Sequence, residues 1–158
     1  MNTYLTFLLG NESFAVSVSN VLEVLQKRQV TKVPKTPEHI RGIINFRGDI
    51  LPVVDTRRKF AMEILQDTEK YIVIVFEITN STKKISIAAT ADAVKDVIEI
   101  KENEIKEVPE LGLSFDSQFI QGAIRRNDEF ILLLNIEKVF SATNLAEIQS
   151  LQKSAQPV

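Results

Sequence analysis

The segment Ile40-Arg41-Gly42-Ile43-Ile44 returns as Ile120-Gln121-Gly122-Ala123-Ile124, a shift of 80 positions that holds without a gap through the next sixteen residues. Ile50-Leu51 falls on Phe130-Ile131, Val53-Val54-Asp55 on Leu133-Leu134-Asn135, and Phe60 on Phe140. Upstream, Phe14-Ala15 and Val21 with Glu23-Val24-Leu25 fall on Ile87-Ala88 and Val94 with Asp96-Val97-Ile98, and Val33-Pro34 falls on Val108-Pro109. The shift changes slightly between blocks, as it does when loops differ in length. The chain therefore holds two diverged copies of one unit of roughly 70 residues. The expected layout is one domain over 1–158, with a first unit at 4–66, a second at 67–142, strand exchange left open, and a C-terminal helix and tail at 143–158.

Each unit reads mainly as strand. Tyr4 to Leu9, Phe14 to Val18, Tyr71 to Ile78, Ile85 to Ala89, Val97 to Ile100 and Phe130 to Leu134 are rich in Val, Ile, Phe and Leu. Gly10-Asn11, Asn80-Ser81, Arg47-Gly48-Asp49 and Asn127-Asp128 bound them as turns. Short strands at regular turns point to small barrels or a sandwich. Helices are few. Asn20-Val21-Leu22-Glu23 has capping-box spacing, which predicts a helix with Val21, Val24 and Leu25 on one face. Asn144 to Glu147 repeats the spacing, ahead of an apolar stripe at Leu145, Ile148 and Leu151.

Composition narrows the function classes. With 158 residues, 44% apolar and 25% charged, the chain has a globular profile. A net charge of −2, no Trp and two Tyr argue against nucleic acid, which needs a cationic surface with aromatic platforms. The absence of Cys excludes disulfides, thiolate catalysis and Cys-ligated zinc. Met1 to Leu5 has no basic segment leading into an apolar one, so no signal peptide is expected and the cytoplasm is the expected location. Tyr71 to Ile78 is too short to span a bilayer, so no membrane insertion is expected. Two glycosylation-type tripeptides, at Asn11 and Asn80, and Arg47-Gly48-Asp49 have no meaning in a chain that is not secreted.

The duplication also separates scaffold from candidate function. Features in both copies are architectural; features in one copy are candidates for a specific task. Asp55, which alone resembles a catalytic carboxylate, has Asn135 as its counterpart, and both types cap helices. Gly42 and Gly122 answer a shared backbone need. The copies part at Asn45, Arg47, Gly48 and Pro52, which face Arg125, Asn127, Asp128 and Leu132. Arg47 stands on a hairpin turn that lifts it toward solvent.

Chemistry is sparse. The single histidine, His39, lies in a polar turn and reads as a surface residue. The five glycines, at 10, 42, 48, 112 and 122, form no phosphate loop, and no metal-ligand spacing occurs. Arg57-Arg58-Lys59 reads as a solvated helix face. An adaptor, an enzyme with an unrecognised site and a nucleic-acid binder all remain as classes, with the adaptor favoured.

The stretch Ile40 to Arg57, with Gly42, Asn45, Arg47-Gly48 and Pro52-Val53-Val54-Asp55, resembles the signature of CheW-like domains. Val21 to Val24, Val33-Pro34, Gln121-Gly122 and Leu134 to Lys138 extend the resemblance over about residues 4 to 142. Phe46 and Thr56 stand where that family usually has Leu. The resemblance implies a mainly β fold of two intertwined SH3-like five-stranded barrels with a few short helices. It implies a non-enzymatic, cofactor-free adaptor that joins the cytoplasmic tip of chemoreceptors to the regulatory domain of the histidine kinase CheA at membrane-associated arrays. An adaptor of a surface-motility or other pathway is the alternative. It carries receptor contacts onto Val21, Glu23, Ile40, Gly42, Asn45 and Arg47, and suggests a kinase-facing loop near Val30, Thr31 and Val33.

Overall fold

Apolar residues with β-branched side chains organise the described part of the chain into ten strands. The computed structural model describes residues 2–60, 62, 70–80, 82–108 and 119–140. The first unit contributes β1 (Asn2–Leu9), β2 (Glu12–Ser17), β3 (Val21–Gln26), β4 (Ile40–Phe46), β5 (Asp49–Val54) and the one-turn α1 (Thr56–Lys59). The second contributes β6 (Ile72–Asn80), β7 (Lys83–Ala91), β8 (Ala93–Ile100), β9 (Ile120–Arg126), β10 (Glu129–Leu134) and α2 (Ile136–Val139). The expected helix at 143–158, like the unit boundaries at 66, 67 and 142, lies outside the described residues.

The strands form two five-stranded sheets, ordered β8-β1-β2-β10-β9 and β3-β6-β7-β5-β4. Replacing each strand by its counterpart in the other copy turns one order into the other. Each sheet thus takes a hairpin from one unit and three strands from the other. The hairpins enter through the parallel pairs β10–β2 and β5–β7; the remaining ladders are antiparallel. Neither ladder closes into a hydrogen-bonded barrel. The segment that follows one end strand of each sheet instead meets the other end strand through an isolated bridge, Thr31–Ile43 after β3 and Lys106–Ala123 after β8.

Exchange of hairpins buries strands on both faces, which accounts for their continuous apolar runs. On β6, Ile74, Phe76 and Ile78 point into a core shared by both sheets, whereas Val73 and Val75 fill the interior of their own sheet. On β1, Leu5, Phe7 and Leu9 join the shared core and Tyr4 fills the other interior. Phe60 and Phe140, matched by the repeat, end α1 and α2 and are both 1% exposed in that core. Each such ring contributes about 1.5–3 kcal/mol by leaving water.

The two caps are equivalent. Asp55 accepts from the amides of Arg57 and Arg58 at 3.1 and 3.3 Å, and Asn135 accepts from that of Lys138 at 3.2 Å. The predicted helix at Val21 is not formed. Val21–Gln26 is a strand paired to β6, and the only helical turn there is a 3-10 turn, Val18–Asn20, capped by Ser17. Asn20 donates its side-chain amide to Glu77 O at 3.2 Å instead of capping a helix. The partner strand β6 overrode a local signal, since β-branched valines lose little by extending.

Candidate functional site

Three of the six residues carried over as receptor contacts lie together on an exposed face. The β4–β5 hairpin turns through Arg47 and Gly48 at φ 53 and 84, the two positive angles of a type I′ turn. Gly48 N donates to Asn45 Oδ1 at 3.3 Å, which pins the turn. Arg47 Cζ lies 4.8 Å above the Phe46 ring, and its Nη2 lies 3.4 Å from Glu23 Oε1 on β3. With side chains 64% and 40% exposed, this pair adds little to stability but presents a fixed cation and anion side by side. In the second copy the turn is Asn127-Asp128, at φ 50 and 63. Asn and Asp tolerate this conformation; an arginine there is strained by about 1–2 kcal/mol.

The other three are placed differently. Val21 is half-buried and packs on the shared core. Ile40 is 5% exposed inside that core. Gly42 is buried under its own chain: a Cβ there would stand 2.2 Å from Thr31 O and 2.6 Å from Val30 Cγ1. The backbone need shared by the two glycines is therefore close approach of the loop that bridges the sheet edge, since a Cβ on Gly122 would stand 2.5 Å from Ile105 Cγ2. Val18, Leu22 and Val24 also reach solvent, at 37%, 38% and 42% exposure, but Val24 follows Glu23 in a regular ladder on β3 and so points to the opposite side of the sheet. A sequence reading that treated this stretch as helix could not single them out; period-two alternation around Glu23 is the signal that would have.

The loop suggested to face a kinase adjoins this face. Thr31 is exposed, with its backbone doubly bonded to Ile43 at 3.0 and 2.8 Å. Val30 is half-buried against the interior of its sheet and Val33 against the shared core.

Some polar groups do structural work that the sequence did not reveal. Arg57 is not solvated: its guanidinium grips the carboxylate of Asp92 with a side chain only 13% exposed, and Gly10 N donates to the same carboxylate at 2.7 Å. This ties α1 to the β7–β8 and β1–β2 turns. His39 is half-buried, not a free surface residue, and its carbonyl accepts from Asp55 N at 2.7 Å. Glu104 accepts from Lys101 N at 2.9 Å and pairs with Arg126 at 3.2 Å; the Lys101 amide above all holds its carboxyl below the ordinary glutamate value, desolvation opposes this next, and Arg126 adds to the lowering. Among the described residues no group of three His, Asp or Glu side chains gathers as a metal site.

The model of the CheW-like domain matches residues 3–144. The chain belongs to the CheW-like domain family. It is 30% identical to the chemotaxis protein CheW of Klebsiella aerogenes, over 96% of this chain and 89% of that protein. It is 26% identical to CheW of Thermotoga maritima over 90% of each, and 30% identical to protein FrzA of Myxococcus xanthus over 86% and 83%. Among solved structures it resembles the scaffolding protein TtCheW of Thermoanaerobacter tengcongensis, with a TM-score of 0.77, 31% identity and 90% of each chain covered. The two five-stranded sheets are thus the CheW-like fold, with open sheet edges laced by the Thr31 and Lys106 bridges. No described helix is long and apolar enough to cross a membrane.

Proposed function

We propose that this chain is a non-enzymatic adaptor of chemotaxis signalling that couples chemoreceptors to a histidine kinase of the CheA type at membrane-associated arrays in the cytoplasm. The observation that carries the proposal is Arg47. It occupies a strained left-handed position, where the second copy has Asn, and holds its charge beside Glu23 on the neighbouring end strand. Strain of this kind persists where it serves a task. A guanidinium presented beside a carboxylate suits the polar flank of a docked helix with an acidic residue. In this reading Glu23, Asn45 and Arg47 touch the receptor tip, Val21 lines the edge of the groove, and Ile40 and Gly42 shape it from beneath. Thr31, with Val30 and Val33 behind it, faces the kinase. Relatives named as chemotaxis proteins and a structural relative named as a scaffolding protein support an adaptor over an enzyme.

Binding of a receptor-tip fragment to wild type, Arg47→Ala and Arg47→Glu tests the proposal. Loss of a charge-assisted contact weakens binding by about ten-fold in Arg47→Ala and by more in Arg47→Glu, where like charges repel. Equal affinity across the three, with folding intact, removes Arg47 from the receptor face.

A further inference from the structure

Residues 27–32 hold three cations, Lys27, Arg28 and Lys32, and no acid, in a chain of net charge −2. With Arg41 and Tyr71 they line an open cup of about 570 Å³. Lys27 Nζ and Arg41 Cζ each lie 5.0 Å from the centre of the Tyr71 ring, so one aromatic ring contacts two of the cations. Tyr71 Oη reaches Arg28 O at 3.5 Å and ties the ring to the loop. Arg41 also meets Asp55 Oδ2 at 3.6 Å, but that carboxylate is 1% exposed and engaged with the first turn of α1. Among the described residues lining the cup there is no carboxylate.

The duplication supplies an internal control. Thr31 bridges Ile43 as Lys106 bridges Ala123, and Val30 covers Gly42 as Ile105 covers Gly122. This register sets Lys27, Arg28, Lys32 and Arg41 against Glu102, Asn103, Glu107 and Gln121. The same bridge and glycine cradle are built in both copies, with a 3-10 turn at Glu102–Glu104 that the first copy lacks, and none of the four cations is retained at the matching positions of the second. The bridge and the glycine cradle therefore do not require them.

We propose that this cup receives an acidic segment of the kinase's regulatory domain, its carboxylates seated among Lys27, Arg28 and Lys32. The proposal rests on the reading of Thr31 as kinase-facing, because a partner covering Thr31 also covers the cup beside it. A protein carboxylate fits better than a phosphate: the cations are flexible side chains on an open rim, and no glycine-rich amide cradle adjoins them. Such a surface speeds encounter and sets orientation, and both effects fade with salt.

The test measures kinase binding by the full chain at about 50 mM and about 500 mM salt, where screening lengths differ several-fold. Three proteins are compared: wild type, the charge-reversed Lys27→Glu/Lys32→Glu, and the uncharged bulky Thr31→Tyr, each checked by melting curve and by sedimentation. The expected result is a loss of about ten-fold or more for the double variant at low salt, with its salt dependence flattened and its melting temperature unchanged. Loss in Thr31→Tyr with wild-type affinity and salt dependence in the double variant overturns the cup and leaves the kinase-facing loop standing. Wild-type binding by both folded variants overturns both. Loss of self-association in place of kinase binding assigns the cup to a second copy of the chain and overturns the proposal.

Discussion

The carbonyl oxygen of Thr31 lies 2.2 Å from the point where a side chain on Gly42 would begin. No L-residue fits there without moving the loop, and Gly42 also sits at φ 152, in the region that favours glycine. Gly42 is thus the seat on which the 30–33 loop closes the sheet edge, between the surfaces proposed above for receptor and kinase.

Gly42→Ala is expected to destabilise by about 3 kcal/mol or more, through backbone clash and conformational strain together. Gly122→Ala should cost less, because its nearest neighbour is the end of the Ile105 side chain, at 2.5 Å, and the nearest carbonyl is 3.0 Å away. Chemical denaturation of both variants checks the order. Equal losses would mean that the Thr31 loop yields as easily as a side chain.

Arg47→Asn separates function from fold. Relief of the left-handed strain is offset by loss of an exposed ion pair, each worth about 1 kcal/mol, so the melting temperature should hold or rise slightly. Receptor-fragment binding should still fall by about ten-fold. A drop in stability of about 2 kcal/mol would make the Glu23–Arg47 pair structural.

Thr56, at the start of α1, buries its hydroxyl together with a partner for it. The residue is 7% exposed, its Oγ1 donates to Thr90 O at 2.5 Å, and the void beside it measures about 10 Å³. Thr56→Val should cost about 1–2 kcal/mol by deleting that bond. Thr56→Leu should cost more, since the void cannot take the added carbons and overpacking adds about 1–3 kcal/mol. A Leu variant as stable as wild type would show that the core around Thr90 repacks freely.

Glu104 sets an acid-side dependence of stability. Its folded-state pKa lies below the unfolded value, so its contribution is present above the ordinary glutamate range and is lost as pH falls through the folded value. The stability difference between wild type and Glu104→Gln should be largest near pH 7 and shrink below about pH 4. A difference that does not change with pH would detach the carboxylate charge from the Lys101–Arg126 contact.

The sequence alone determined what acts over a few residues or repeats at fixed spacing. The duplication, the caps at Asp55 and Asn135, the turns at Arg47-Gly48 and Asn127-Asp128, and most strands were legible because capping, left-handed turns and apolar periodicity are local. The special standing of Arg47 was legible too, because one copy could be read against the other. Tertiary structure decided the rest. Whether Val21 to Leu25 coils or extends depended on the free edge of β6, which no local signal encodes. Hairpin exchange and Arg57 meeting Asp92 beside Gly10 join segments far apart in the chain, and the cover over Gly42 closes a loop whose conformation no local signal encodes. Four cations scattered between Lys27 and Arg41 became one cup only when the 27–32 loop bridged β4 and Tyr71 came to lie beneath two of them. Long-range pairing is selected by burial of whole strand faces, so side chains brought together by it acquire neighbours that their own sequence context does not specify.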